Sequence, residues 1–223
     1  MSARLLIKAL IRMILGFAVM AALLFLPAGS FGYWQAWLLL GILFGPMLIA
    51  GIVLAVKKPE LLERRLNMRE EQKEQRFVVA MSGLIFILAF VAAGLSYRNG
   101  WLMFPAWASY ESAVVFLLSY GLYAEVLREN IYLSRTIEVQ ADQKVIDTGL
   151  YGIVRHPMYM STVILFMSMP LVLGSPLAFL IMLLYVPVIV MRIRNEEKVL
   201  EKGLPGYTEY EKKVKHRLIP FIW

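Results

Sequence analysis

The sequence predicts an all-α, polytopic integral membrane protein with five to six transmembrane helices, the last two forming a C-terminal hairpin. Hydrophobic residues make up 60% of the 223 positions, and the mean hydropathy is +0.66. A soluble domain of this size could not bury so much apolar surface, so lipid is the predicted solvent. The length favours a single domain over residues 1–223.

Long apolar runs define the predicted helices. A helix needs about 20 apolar residues to cross a hydrocarbon core of about 30 Å. Four runs are long enough or nearly so: Leu10–Pro27, Tyr33–Val56, Phe77–Tyr97 and Leu102–Leu127. Two later runs, Met158–Leu173 and Pro176–Met191, have about 16 residues each, or about 24 Å of helix. They are either short spans or a hairpin that does not fully cross.

The first run also resembles a signal peptide, because basic residues precede it and small residues follow it. Its length favours a transmembrane helix instead.

Basic residues predict the orientation. If six crossings alternate, 22 of the 23 Lys and Arg residues lie on one side and Arg98 lies opposite. The positive-inside rule then places both termini in the cytoplasm of a bacterial inner membrane. This distribution explains the net charge of +7 without a nucleic acid partner.

The inner stretch Pro59–Arg76 is rich in helix formers. Its apolar residues Leu61, Leu62, Leu66 and Met68 indicate an amphipathic helix on the membrane surface, or else a solvated charged helix. Glu111 and Glu125, in the fourth span, are expected to be structural or to line a cavity, since buried carboxylates in lipid are costly.

Several kinds of chemistry are excluded. The chain has no cysteine, which excludes disulfides, thiolate catalysis and cysteine metal sites, and its two histidines predict no metal centre. It also has no G-x-G-x-x-G, Walker or H-E-x-x-H motif. A nucleotide-like cofactor would therefore need a different kind of site.

Two polar clusters flank the predicted hairpin, at Gly149–Tyr159 and Arg192–Glu197. A hairpin returns both clusters to one membrane face. Pro157 fits the first turn of a helix, which places His156 at an N-terminus that favours an anionic group. Arg192 and Glu196 share one helix face. The alternatives are a structural cap for His156 and interfacial anchoring for the second cluster.

Five motifs in the last 90 or so residues carry a family resemblance. They are S-R-T-I-E-V-Q (Ser134–Gln140), K-V-I-D-T-G-L-Y-G-I-V-R-H-P-M-Y (Lys144–Tyr159), R-x-x-x-E-E (Arg192–Glu197), G-Y-x-E-Y (Gly206–Tyr210) and R-L-I-P (Arg217–Pro220). Together they resemble the isoprenylcysteine carboxyl methyltransferase family, which belongs with the membrane phospholipid methyltransferases. Residues 129–223 resemble the catalytic region, and residues 1–128 match only as four transmembrane helices.

The resemblance implies S-adenosylmethionine held in a cytosolic pocket. Cofactor contacts then fall on Gln140, Gln143, Lys144, Val145, Ile146, Tyr151, His156, Pro157, Met158, Tyr159 and Glu196. Arg192 matches the arginine that engages the acceptor's carboxylate, and Arg192 with Glu196 forms the implied catalytic pair.

The expected function is methyl transfer to a lipophilic small molecule or lipid, most directly a carboxylate as in prenylcysteine methylation. An amine-bearing phospholipid is the alternative acceptor. An NADPH-dependent membrane reductase is a second alternative, since sterol reductases resemble this C-terminal region. A small transporter or structural membrane protein is a third, although its polar residues would then be expected near the midplane.

Overall fold

The computed structural model describes residues 3–66, 73–133, 137, 139–140 and 142–223, and every regular element in this part is helical. The α-helices are α1 (Ala3–Ala28), α2 (Trp34–Lys57), α3 (Pro59–Leu66), α4 (Lys73–Arg98), α5 (Ala106–Glu129), α6 (Pro157–Val172), α7 (Pro176–Met182), α8 (Tyr185–Gly203) and α9 (Tyr207–Lys213). A short 3₁₀ helix covers Gly149–Gly152. The all-α prediction is confirmed.

Four stretches are long and apolar enough to cross a membrane by length and composition. They are Leu5–Ala28, Trp34–Lys57, Gln75–Arg98 and Pro176–Gly203, with Pro157–Val172 as a shorter apolar helix. The polytopic membrane architecture is therefore confirmed. The predicted fourth run differs: residues 101–105 are not helical, and α5 begins only after Pro105. α5 contains tyrosines, serines and Glu111 among its apolar residues.

The last predicted run, Pro176–Met191, is longer than expected and is broken. α7 ends at Met182, and α8 begins at Tyr185 and continues through the second polar cluster to Gly203. Two i to i+3 bonds bridge the break, Leu184 N–H to the Ile181 carbonyl and Val186 N–H to the Leu183 carbonyl. Pro187 explains the position of the break, because its ring excludes the helical bond to the carbonyl four residues earlier.

The helices pack around one apolar core. α1 lies against α4, α5 lies along α6, and α4 also contacts α7 and α8. Fully buried core side chains include Leu24, Leu39, Phe116, Met182 and Ile193. α1 and α4 approach closely at Gly94, where an added Cβ would lie 2.6 Å from the Leu24 carbonyl oxygen.

Contacts at one end of the bundle join segments that the sequence placed on the inner side. The Arg12 guanidinium of α1 contacts the Leu66 carbonyl at the end of α3. Arg192 Nη1 of α8 donates to Gln75 Oε1 of α4 at 3.2 Å. The stretch Pro59–Leu66 is helical as predicted. Met68 and the rest of 67–72 lie outside the described residues.

Two of the three carboxylates of α5, Glu111 and Glu125, have surface positions. Glu125 pairs with Arg128 one turn later at 2.5 Å, with 42% of the Glu125 side chain exposed. Glu111 is exposed. Neither carboxylate lines the pocket described below, and Glu125 forms an ion pair with Arg128.

Candidate functional site

A pocket opens where α6 begins and α8 ends. The two polar clusters predicted from the sequence meet in this pocket, together with the segment that follows α5 and with α9. Its lining consists of Asn130, Tyr132, Leu133, Ile137, Gln143, Lys144, Val145, Ile146, Tyr151, Arg155, His156, Met158, Tyr159, Arg192, Glu196, Leu200, Leu204, Tyr207 and Tyr210.

Ten of the twelve site residues predicted from the sequence line this pocket, and Gln140 and Pro157 do not. Gln140 Nε2 instead donates to the Tyr132 carbonyl at 2.7 Å. The Gln140 backbone N–H donates to Gln143 Oε1 at 2.9 Å. Pro157 is buried as the first residue of α6. Both residues adjoin residues of the pocket lining, and the ligand contacts of all twelve stay predictions.

The wall formed by residues 142–156 is fixed to the end of α5. Gly149 adopts a left-handed conformation, with φ of +50°, and an added Cβ would overlap the Glu129 carboxylate. Glu129 Oε2 accepts from the Leu150 N–H at 3.2 Å, which starts the 3₁₀ helix. Asn130 Nδ2 donates to the Tyr151 hydroxyl at 3.0 Å. Glycine is required here because a side chain would be strained and would collide with Glu129.

A buried charge cluster lies behind the pocket, formed by Glu197, Arg155, His156 and Arg217; we call it the Glu197 cluster. Glu197 is 3% exposed. Its Oε1 accepts from Arg155 Nε at 3.0 Å and from Arg155 Nη2 at 2.7 Å. His156 Nε2 lies 3.2 Å from the same oxygen, and Arg217 Nε donates to Oε2 at 2.7 Å. Several donors satisfy this carboxylate, as a buried charge requires.

The C-terminal segment completes the cluster through its backbone. The N–H groups of Arg155 and His156 donate to the carbonyls of His216 and Arg217, both at 2.9 Å. Arg155 Nη1 also donates to the Val214 carbonyl at 3.0 Å. The segment before α6 is thereby joined to the end of the chain.

A second group of polar side chains is connected by hydrogen bonds. Three of its members line the pocket, Tyr159, Glu196 and Arg192, and the fourth is Gln75 of α4. The Tyr159 hydroxyl donates to Glu196 Oε2, and Arg192 Nε donates to the Tyr159 hydroxyl at 3.0 Å. The Arg192 guanidinium also lies 5.9 Å from the Tyr159 ring centroid. Gln75 accepts from Arg192 on the α4 side and is fully buried. These contacts hold Arg192 at the pocket edge between α4 and α6.

α9 closes the pocket with two tyrosines. Gly206, with φ of +86°, turns the chain into this helix. Tyr207 and Tyr210 are buried and pack in an apolar cluster with Leu204 and Val214, against which Val145 also packs. Outside the pocket, Lys213 Nζ lies 2.7 Å from Asp147, and hydrogen bonding to this ammonium lowers the pKa of the Asp147 carboxyl.

Several residues of the site were not predicted. Arg155 and Glu197 stand beside predicted neighbours in R-H-P and E-E, and the spacing that places Glu196 on one helix face with Arg192 assigned no role to Glu197. Tyr207 and Tyr210 are part of the quoted G-Y-x-E-Y motif, which carried no assigned role. Gln75 lies in a charged stretch 117 positions before its partner, and nothing in the sequence marks it.

The pocket joins two chemical environments, which suits a ligand that is charged at one end and flat and apolar at the other. Glu196, Arg192 and His156 supply carboxylate, guanidinium and imidazole groups. Val145, Leu200 and Leu204 supply an apolar wall. A methionine moiety carries an ammonium and a carboxylate, and adenosine is largely flat, so these residues fit S-adenosylmethionine.

Comparisons with known proteins match parts of this chain to a methyltransferase family and to a sterol reductase. Residues 107–205 match the family described as phospholipid methyltransferase. The match includes α6, α8 and the pocket wall between α5 and α6, and it confirms the resemblance found from the motifs. A mouse protein, Delta(14)-sterol reductase TM7SF2, is 31% identical over 91 residues, which are 40% of this chain and 22% of that protein. This chain therefore spans less than a quarter of that relative's length.

Proposed function

We propose that this chain, whose residues 107–205 match the phospholipid methyltransferase family, transfers methyl groups from S-adenosylmethionine to a lipophilic acceptor, at a carboxylate. The observation that carries the proposal is the pocket, where Glu196, Arg192 and His156 lie together with an apolar wall at the end of the membrane helices. The family match supports methyltransferase activity in a membrane. The cofactor and the acceptor class are the finer parts of the proposal.

Glu196 and the wall residues would hold the cofactor. The Glu196 carboxylate suits the ammonium of the methionine moiety, because an ionised acceptor strengthens a hydrogen bond. Tyr159 orients this carboxylate by donating to it. His156 is held by Glu197 at 3.2 Å, so its ring position is fixed before any ligand arrives.

When bound, S-adenosylmethionine supplies an electrophilic methyl group on a positively charged sulfur. Methyl transfer to a carboxylate forms an O–CH₃ bond, breaks the S–CH₃ bond and returns the electron pair to sulfur. A carboxylate is already nucleophilic, so the chain need not remove a proton. The work of its residues is to orient the acceptor and to exclude water.

Arg192 is the proposed acceptor-binding residue. Its planar guanidinium can hold a carboxylate through two parallel hydrogen bonds, a contact that the lysine ammonium cannot reproduce. Contacts with Tyr159 and Gln75 hold it at the pocket edge. The lipid tail of the acceptor would then lie among the apolar helices while its head reaches the pocket.

An isotope-transfer assay tests the reaction and the acceptor together. Protein purified in detergent is incubated with methyl-labelled S-adenosylmethionine and either a prenylcysteine or phosphatidylethanolamine. Base-labile label, released as methanol, indicates a methyl ester, whereas base-stable label in the phospholipid indicates N-methylation. Carboxyl methylation is expected. Label found only in the phospholipid would identify an amine, and not a carboxylate, as the methyl acceptor.

Arg192→Lys is the matched variant for this assay. It keeps the positive charge and removes the planar pair of donors. A charge-assisted hydrogen bond contributes about 1.5–3 kcal/mol, so we expect the acceptor KM to rise roughly tenfold or more while cofactor affinity stays unchanged. Unchanged turnover in Arg192→Ala would remove the proposed role of Arg192.

A reductase is the second candidate, because of the 31% identity to the mouse Delta(14)-sterol reductase. Calorimetric titration separates the two. Binding of S-adenosylmethionine and S-adenosylhomocysteine, lost in Glu196→Ala, supports the methyltransferase. Binding of NADPH in their place would favour the reductase.

We also propose that the pocket and both termini face the cytoplasm. The contacts of Arg12 with Leu66 and of Gln75 with Arg192 support a common inner end for the basic segments. Because the chain has no cysteine, single cysteines can report the orientation directly. In intact cells, a membrane-impermeant thiol reagent should label Asn99→Cys and leave Lys212→Cys unlabelled; the opposite pattern would invert the topology.

A further inference from the structure

Tyr207 buries a hydroxyl group that has no hydrogen-bond partner within the described part of the chain. The residue is 4% exposed and is the first of α9. An unsatisfied buried polar group costs about 1–3 kcal/mol, and most such groups in folded proteins are paired. A phenylalanine at this position would avoid that cost, so the hydroxyl calls for an explanation.

The surroundings of Tyr207 indicate what its hydroxyl can do. Burial, followed by the nearby carboxylates of Glu197 and Glu196, raises the pKa of the Tyr207 phenol, so the group stays protonated at neutral pH and is able to donate. Its ring belongs to the apolar cluster with Leu204, Leu200 and Val145. Tyr207 also lines the pocket, so a ligand bound there would lie against this residue.

Tyr210 provides an internal comparison. It lines the same pocket, lies one turn further along α9 and is 6% exposed. Its hydroxyl donates to the Tyr151 carbonyl at 2.7 Å and so fixes α9 to the 3₁₀ helix. The two tyrosines are similarly buried and line the same pocket, but only the Tyr210 hydroxyl has a hydrogen-bond partner within the described part of the chain.

We propose that the Tyr207 hydroxyl donates a hydrogen bond to the nucleoside part of bound S-adenosylmethionine, an inference that rests on the proposed function. The apolar cluster around the Tyr207 ring is the part of the pocket that suits a flat purine. A nucleoside offers neutral acceptors in its ring nitrogens and ribose oxygens. The amino-acid end of the ligand is better matched by Glu196 and His156.

The test compares Tyr207→Phe with Tyr210→Phe, because each variant removes only a hydroxyl group. Thermal unfolding is measured without ligand. Affinity is measured by calorimetry with S-adenosylhomocysteine and with 5′-methylthioadenosine, which keeps the nucleoside and lacks the amino-acid end.

Tyr207→Phe should leave the unfolding temperature unchanged or raise it, since no protein hydrogen bond is lost. It should weaken both ligands by the same factor, roughly two- to tenfold, the range for one neutral hydrogen bond. Tyr210→Phe should lower the unfolding temperature, because it loses the hydrogen bond to the Tyr151 carbonyl.

Three results would overturn the inference. Unchanged affinity in Tyr207→Phe would show that the ligand makes no contact with the hydroxyl. Weaker S-adenosylhomocysteine binding with unchanged 5′-methylthioadenosine binding would indicate that the Tyr207 hydroxyl contacts the amino-acid end of the ligand and not its nucleoside. A lower unfolding temperature in Tyr207→Phe would reveal a structural partner. Failure of the wild type to bind S-adenosylhomocysteine would instead refute the proposed function, and with it the inference, before any variant is compared.

Discussion

Replacing Glu197 with glutamine removes a buried negative charge that Arg155, His156 and Arg217 all contact. Arg155 is 7% exposed and Glu197 is 3% exposed, so water cannot replace the lost ion pair at either residue. Removing one partner of a buried ion pair costs about 3–5 kcal/mol. The lower end applies here, because Arg155 keeps its hydrogen bond to the Val214 carbonyl. Arg217, with 36% of its side chain exposed, adds little to the cost.

A loss of about 3 kcal/mol lowers the unfolding temperature by roughly 6–12 °C in a chain of this length. Unfolding is followed by circular dichroism of the protein in detergent micelles. Glu196→Gln is the matched control, since it changes the adjacent carboxylate, which is only partly buried and faces the pocket. Its unfolding temperature should stay near the wild type, whereas its affinity for S-adenosylmethionine should fall roughly tenfold or more.

The two glutamates are thus expected to differ in what they support. Glu197→Gln should lose stability, and Glu196→Gln should lose ligand affinity. The reasoning is refuted if Glu197→Gln unfolds within about 2 °C of the wild type, or if Glu196→Gln is the less stable of the pair.

Two further substitutions test the pocket wall and the α4 contact. Gly149→Ala should destabilise the protein by about 2 kcal/mol or more, because its left-handed φ disfavours a side chain and the new Cβ would displace Glu129. Gly83→Ala, on an open face of α4, is the control and should be neutral or slightly stabilising in the same thermal assay; equal effects of the two would contradict the steric argument. Gln75→Leu removes the acceptor that holds Arg192 on the α4 side. The acceptor KM should rise severalfold in the methylation assay with cofactor affinity unchanged, and a change confined to cofactor affinity would exclude this positioning role.

The fold was largely predictable because the length of an apolar run is enough to predict a membrane-spanning helix. Leu10–Pro27 was predicted as a span and lies within α1, and Tyr33–Val56 was predicted as a span and lies within α2 except for Tyr33. The C-terminal hairpin was harder to delimit. Pro187 stands in the first turn of α8, and the predicted last helix is broken just before it, between α7 and α8. Because α8 then runs past Met191, hydropathy alone placed its end too early.

The site was predictable where the motifs are local in sequence. His156, Tyr159, Arg192 and Glu196 were all predicted and all line the pocket. The sequence assigned no role to the second carboxylate of the adjacent pair. Glu196 was predicted from its spacing to Arg192 and from the motif, whereas Glu197 was not predicted, and the structure places Glu197 in the Glu197 cluster.

The pocket also depends on segments outside the matched range 107–205. Arg217 completes the Glu197 cluster from the C-terminal segment, and Gln75 contacts Arg192 from α4. The matched region therefore supplies the pocket wall and most of the polar side chains, while the flanking segments fix their positions. Because Arg155 and His156 are bonded to the C-terminal backbone, movement of that segment would shift the start of α6 and the pocket with it. Differences in acceptor among proteins that share the matched region are thus expected to arise in these flanks, where α4 approaches Arg192, rather than at Glu196.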